Sequence, residues 1–183
     1  MKKLTRAMQI GGFAAAALLW GLTAVAEVIA IPDPIAEEHA ELHARLQTAA
    51  NVGGETGRAA AAVIETLGPH FEKEERYALP QLGALPTLVG EPLAGAATLT
   101  EEQKQDLRER SERLRAELPQ MLEEHEAIHE ALERLHAAAV REQQPEQARL
   151  AEEIQRHAQT EEAVLYPAAL LVGELVSKRG EDP

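Results

Sequence analysis

The chain has 183 residues, of which 18 are basic and 31 acidic, and it contains no cysteine. The acidic excess repels phosphate backbones and anionic lipid, which argues against nucleic-acid and membrane-surface functions. Without cysteine there are no disulfides, thiolate-bound zinc or iron–sulfur clusters, and an aromatic content of 3% with little β-branching favours an all-α fold.

In chain order, the first segment reads as an export signal. Lys2, Lys3 and Arg6 precede an uncharged, mostly apolar run over residues 10–26, and Ala24-Val25-Ala26 stands just before Glu27. That is the layout of a Sec-type signal peptide spanning residues 1–26; the alternative is an uncleaved anchor, since the run is at the lower limit for a membrane span. Cleavage leaves residues 27–183 as one domain, periplasmic or secreted in a bacterium, with no stable membrane insertion. Its balance becomes 15 basic against 31 acidic residues, because the signal carries three bases and no acid.

The domain reads as four helices. Asp33-Pro34 supplies an N-cap and an N1 proline for a helix over 33–50, with Ile35, His39, Leu42, Leu46 and Ala49 along one stripe. Asn51-Val52-Gly53-Gly54 makes a turn into a second helix over 56–78, which Pro69 should kink just before His70. Residues 79–99, with three prolines and three glycines, form a long connection packed across one end. Thr100-Glu101-Glu102-Gln103 is a capping box opening a third helix whose charged first half offers Asp106/Arg110 and Glu109/Arg113 pairs. Pro119 should bend or split that helix. Beyond it, the expected inner seam is Leu118, Leu122, His125, Ile128, His129, Leu132, Leu135, His136 and Ala139. The fourth helix starts at Gln144-Pro145, carries Leu150, Ile154, His157, Glu161 and Val164 inward, and stops or kinks at Pro167. A short helix over 168–177 closes an up-down-up-down four-helix bundle.

A repeat runs through these helices. His39 and His43 are echoed by His125 and His129, 86 residues later, and His70 and Glu74 by His157 and Glu161, 87 residues later. Proline stands ten residues after the histidine in both HxxxE copies, at Pro80 and Pro167. Residues i and i+4 share a helix face, so each pair points one way, as bundle metal ligands do. A lone buried histidine is ordinarily a hydrogen-bonded core residue; here six of seven histidines recur at helical spacings. Glu74 and Glu161 have no lysine or arginine on the seam, and a buried carboxylate needs a countercharge. A bound cation supplies it. Glu75 and Glu162, rotated about 100° from their neighbours, are expected on the surface. His136 stands too far along the helix to share a metal with His129, about 10 Å away.

The donors are all nitrogen and oxygen, and too many for a single zinc ion. Calcium and magnesium prefer oxygen alone. Two ions bridged by Glu74 and Glu161 fit the set, and mixed ligation suits iron or manganese, in practice iron. The ferritin arrangement fails, because both ExxH spacings, Glu126/His129 and Glu133/His136, lie on the same helix.

The order H…HxxxE…HxxxH…HxxxE over residues 34–176 resembles the hemerythrin-like, or HHE cation-binding, family. The resemblance implies a carboxylate-bridged pair of non-haem irons. His39 and His70 would hold one, and His125, His129 and His157 the other, with Glu74 and Glu161 as bridges. Classical members place an aspartate five residues after the last histidine; here a glutamate stands at i+4, the bacterial pattern, which leaves Glu162 as a second candidate. His43 departs from the family, whose first helix gives one ligand, and is expected to stay off the metal. For function, the resemblance implies binding of O2 or a related small ligand such as NO. The alternatives are a centre that consumes peroxide or nitric oxide, and a metal-buffering or structural helical module.

Overall fold

A computed structural model of the protein describes residues 29–90 and 98–178; the expected signal peptide lies outside them. Among the described residues every regular element is helical, and no helix is long and apolar enough to cross a membrane. The elements are α1 (Asp33–Ala50), α2 (Gly54–Lys73), α3 (Leu85–Val89), α4 (Glu101–Arg141), α5 (Pro145–Thr160) and α6 (Tyr166–Lys178). Four of them pack in a cycle, α1 on α2, α2 on α4, α4 on α5 and α5 on α1, and α6 lies against α4.

Local chemistry explains most boundaries. Pro32, rather than Asp33, caps α1: its carbonyl accepts from the backbone N–H of Ile35 and Ala36, and Asp33 makes no capping bond. Pro34 is therefore the second helical residue, where a missing N–H still costs nothing. The capping box at Thr100 forms as expected, with Thr100 Oγ1 accepting from the Gln103 backbone and Gln103 Oε1 from Thr100. α2 has no cap of its own at Gly53. Glu142, beyond the end of α4, serves instead, accepting from the backbone N–H of Glu55 at 2.7 Å and of Thr56 at 2.9 Å. Gly54 makes room for that carboxylate: its φ is +65°, and a Cβ there would lie 2.6 Å from Glu142 Oε1.

Neither interior proline breaks its helix. α2 runs on through Pro69, and α4 is one helix of 41 residues through Pro119, roughly 60 Å long at 1.5 Å per residue. Pro119 is exposed, as is Arg115, so water can satisfy the carbonyl that loses its donor. The buried face of α4 runs Leu107, Ser111, Leu114, Met121, His125, Ile128, Leu132, Leu135 and Ala139, in steps of three, four or seven residues. Leu122, expected on the seam, is one position out of phase and 39% exposed, and Met121 takes its place. Asp106 pairs with Arg110 at 2.7 Å, whereas Arg113 turns forward to Glu117, also at 2.7 Å.

Residues 79–89 cover one end, as expected, in a 3-10 turn (Leu79–Ala84) followed by α3. Leu79 and Leu82 join Tyr77, Leu114, Met121 and Tyr166 in one apolar cluster. A second cluster gathers Leu42, Leu46, Leu67, Ile128, Leu132 and Ile154. Each fully buried side chain of this kind contributes roughly 1.5–3 kcal/mol. Along α4, His125 falls between Met121 of one cluster and Ile128 of the other. The polar side chains of the repeat thus form a layer with apolar packing above and below.

Candidate metal centre

The two glutamates of the repeat open a matching pair of distortions. α2 passes at Glu74 into a π-helical turn, Glu74–Ala78, and α5 does the same at Glu161, giving Glu161–Leu165. A π turn admits one extra residue and recurs at functional sites. It also changes the phase of the helix beyond it. Val164, expected inward, is 55% exposed, and Tyr166 is buried in its stead.

Six of the seven expected ligands meet in two buried clusters, His39/His157/Glu161 and His70/Glu74/His125, each with donor atoms within 4.8 Å of one another. In the first, Glu161 Oε1 lies 3.3 Å from His39 Nε2 and 3.0 Å from His157 Nε2. In the second, Glu74 Oε1 lies 3.3 Å from His70 Nε2 and 3.9 Å from His125 Nε2. Glu161 joins the two, since its other oxygen is 3.6 Å from His125 Nε2. These clusters could hold two metal ions.

The grouping differs from the one implied by the resemblance. His39 pairs with His157 rather than His70, and His125 with His70, so each cluster draws on both copies of the repeat. Each glutamate collects the histidine of its own helix and one from a helix packed beside it. His129 joins neither cluster. It sits one turn beyond His125, with ring centroids 6.4 Å apart, and its Nε2 comes only to 4.0 Å from Glu162. His43 is exposed and lies within 3.3 Å of Gln47, and His136 pairs with Glu152 at the surface.

Around the clusters stand four acids. The outer nitrogens Nδ1 of His70 and His125 meet Glu124 at 2.9 Å and Glu162 at 2.7 Å, while those of His39 and His157 meet Glu75 and Glu38, both at 3.4 Å. Glu75 and Glu162 are half-exposed rather than simply solvated, since their carboxylates turn inward. A carboxylate on Nδ1 fixes the ring and directs Nε2 to a metal. The repeat carried the signal for these acids: Glu38 and Glu124 precede the HxxxH pairs, and Glu75 and Glu162 come directly after the HxxxE pairs. Tyr166 is a further residue of the site, and the sequence pattern did not point to it. Its hydroxyl donates to Glu74 Oε1 and lies 3.2 Å from Nε2 of both His70 and His125.

Electrostatics favours a cation here. Burial alone would raise Glu161, but hydrogen bonds and charge from His157 and His39 outweigh it and hold the carboxyl at about 2. Glu74 is raised, first by burial, and its Oε2 is enclosed without a partner. His70 and His157 are both held more basic, because the surrounding carboxylates outweigh burial, which lowers them. Among the described residues no lysine or arginine reaches Glu74 or Glu161; their ion-pair partners are all histidines. Positive charge is what this layer lacks, and an orphaned carboxylate oxygen is a place for a metal.

Two cavities reach the first cluster. One of about 390 Å³ is lined by His39, Phe71, His43 and Glu75 among others, and one of about 340 Å³ by His157, Glu38 and Leu42 among others. Phe71 stacks on His39 with ring centroids 4.1 Å apart, so the floor of the larger cavity is apolar beside the metal-facing imidazole. Comparison with known proteins finds no matching family model, no matching curated protein and no matching solved structure.

Proposed function

We propose that this chain is an exported, hemerythrin-like four-helix bundle that holds two non-haem irons and binds O2 or a related small ligand such as NO. The observation that carries the reading is the layered donor set. Four imidazoles present Nε2 inward to Glu74 and Glu161, and each has a carboxylate at its outer nitrogen. Four imidazoles, two carboxylates and no thiolate suit iron better than the hard all-oxygen cations. Bound there, a pair of irons supplies reversible binding of a small diatomic ligand.

The chain's own residues do the rest. Glu161 contacts histidines of both clusters and would therefore join two ions held there. Glu124 and Glu162 hold the rings of His70 and His125, and Glu75 and Glu38 face those of His39 and His157 at 3.4 Å. The cavity beside His39 admits a small molecule, and Phe71 keeps its inner wall apolar. Residues 1–26 send the domain out of the cytoplasm, and mature protein should begin at Glu27.

Loading the purified chain with ferrous iron without oxygen, then admitting O2 or NO, tests this directly. Two irons per chain and a spectral change reversed by removing the gas are expected. Loading should also raise the melting temperature, since an ion at a hundred times its dissociation constant stabilises by about 2.7 kcal/mol. Equal retention of zinc, with no response of the iron form to either gas, would assign the bundle to metal buffering instead.

A further inference from the structure

The repeat is broken at one telling position. Nine residues after its HxxxE histidine, the first copy has Leu79 and the second Tyr166. Leu79 has no donor atom to offer. Tyr166 opens α6, just before Pro167, and is only 1% exposed.

Its oxygen stands where the second cluster converges. Tyr166 Oη donates to Glu74 Oε1 and lies 3.2 Å from His70 Nε2 and 3.2 Å from His125 Nε2. Those three atoms are the inward donors of the cluster. The outer nitrogens of both rings face Glu124 and Glu162, which hold the ring protons there and leave the inner lone pairs free. Oη has one proton, given to Glu74, and cannot satisfy two imidazole lone pairs as well. A cation accepted by these three donors must either lie against Oη or expel the phenol. Expulsion is closed off. The ring stacks on His125 with centroids 5.7 Å apart and planes 29° from parallel, and it is packed among Tyr77, Leu79 and Met121.

We propose that Tyr166 is a further protein ligand of the metal held by His70, Glu74 and His125, bound through its phenolic oxygen. This rests on the metal reading above. One bond forms, from Oη to the metal, and one breaks, the phenolic O–H, whose proton passes to water. No electrons are exchanged. The phenolate adds a negative oxygen donor to the second cluster alone, so the two ions differ in charge and in vacancy. The second is the more saturated and favours the ferric state. The first, beside the cavity at His39, keeps the room for an outside ligand.

Tyrosinate bound to ferric iron absorbs visible light by charge transfer and gives tyrosinate ring modes in resonance Raman. Wild type, Tyr166→Phe and Tyr77→Phe are each loaded with ferrous iron and oxidised with ferricyanide, and iron content is measured beside the spectra. Wild type and Tyr77→Phe should hold two irons and show the ring modes; Tyr166→Phe should lose the modes and the matching absorption. Two ferric ions without ring modes in wild type, or modes that persist in Tyr166→Phe, would overturn the assignment and leave the metal reading intact. Wild type that binds no iron would sink both. If Tyr166→Phe does not fold, the Raman spectrum of wild type alone decides.

Discussion

His70 and His125 meet their outer carboxylates at 2.9 and 2.7 Å, whereas His39 and His157, from the matching places of the repeat, meet theirs at 3.4 Å. The contacts within the two clusters otherwise interchange when the two copies are exchanged, except that Glu161 alone also reaches a histidine of the other cluster, His125 at 3.6 Å. Glu38 takes the place of Glu124, Glu75 of Glu162, and Glu161 of Glu74. The first cluster opens towards two cavities, and its histidines stand farther from their outer acids. The second is closed, tightly buttressed and roofed by Tyr166. On the proposed metal reading, a duplicated hairpin would give one site for keeping a metal and one for using it, with the difference made by a few side chains outside the shared motif.

The largest test separates the two glutamates. Glu161 touches histidines of both clusters, and Glu74 those of one. Glu161→Ala should lose both irons, and Glu74→Ala only the one in the second cluster, by elemental analysis of the loaded protein. Equal losses would mean that Glu161 does not join the sites.

Next comes the grouping. The double variant His39→Ala/His157→Ala should lose one iron and keep the other. If the ligands instead divided by hairpin, it would damage both. His43→Ala and His129→Ala should each retain two irons, since neither side chain belongs to a cluster.

A smaller effect probes the buttresses. Removing an acid behind a ligating histidine typically lowers metal affinity about 10–100-fold. Glu162→Gln, at 2.7 Å from its ring, should lie towards the upper end and affect the second iron; Glu38→Gln, at 3.4 Å, should lie towards the lower end and affect the first. Competitive titration with a chelator of known affinity reads both.

The smallest prediction leaves the metal layer. Backbone N–H donors of Glu55 and Thr56 hold the Glu142 carboxyl at about 2, against 4.5 for an unperturbed glutamate. A group depressed in the folded state stabilises fully above its unfolded value, and that contribution fades as pH falls from 4.5 towards 2. Glu142→Gln should therefore lower the melting temperature at neutral pH and flatten its acid decline, with iron content unchanged.

Much of this was legible in the sequence because it depends on local spacing. The capping box at Thr100, the HxxxE faces and the cover made by residues 79–89 are set by neighbours a few positions apart. Helix phase beyond a distortion is not. The π turn at Glu161 turned Val164 out and Tyr166 in, and no periodicity written for an ordinary helix carries that signal. The pairing of His39 with His157 depends on how each helix is rotated against its neighbours, which the stripe of apolar residues fixes only loosely. The outer acids were visible as charges, but their histidine partners sit on other helices. Glu38 and Glu124 each have a local clue, standing beside His39 and His125, and neither of those is the ring it faces.

The central claim is that two inequivalent metals share Glu161 within one buried layer. The Mössbauer spectrum of the chain loaded with isotope-enriched iron tests it most directly. The account predicts two iron signals of equal area and different splitting, with two irons per chain and magnetic coupling between them. A single uncoupled iron, or iron that washes out while the melting temperature stays unchanged, would contradict it.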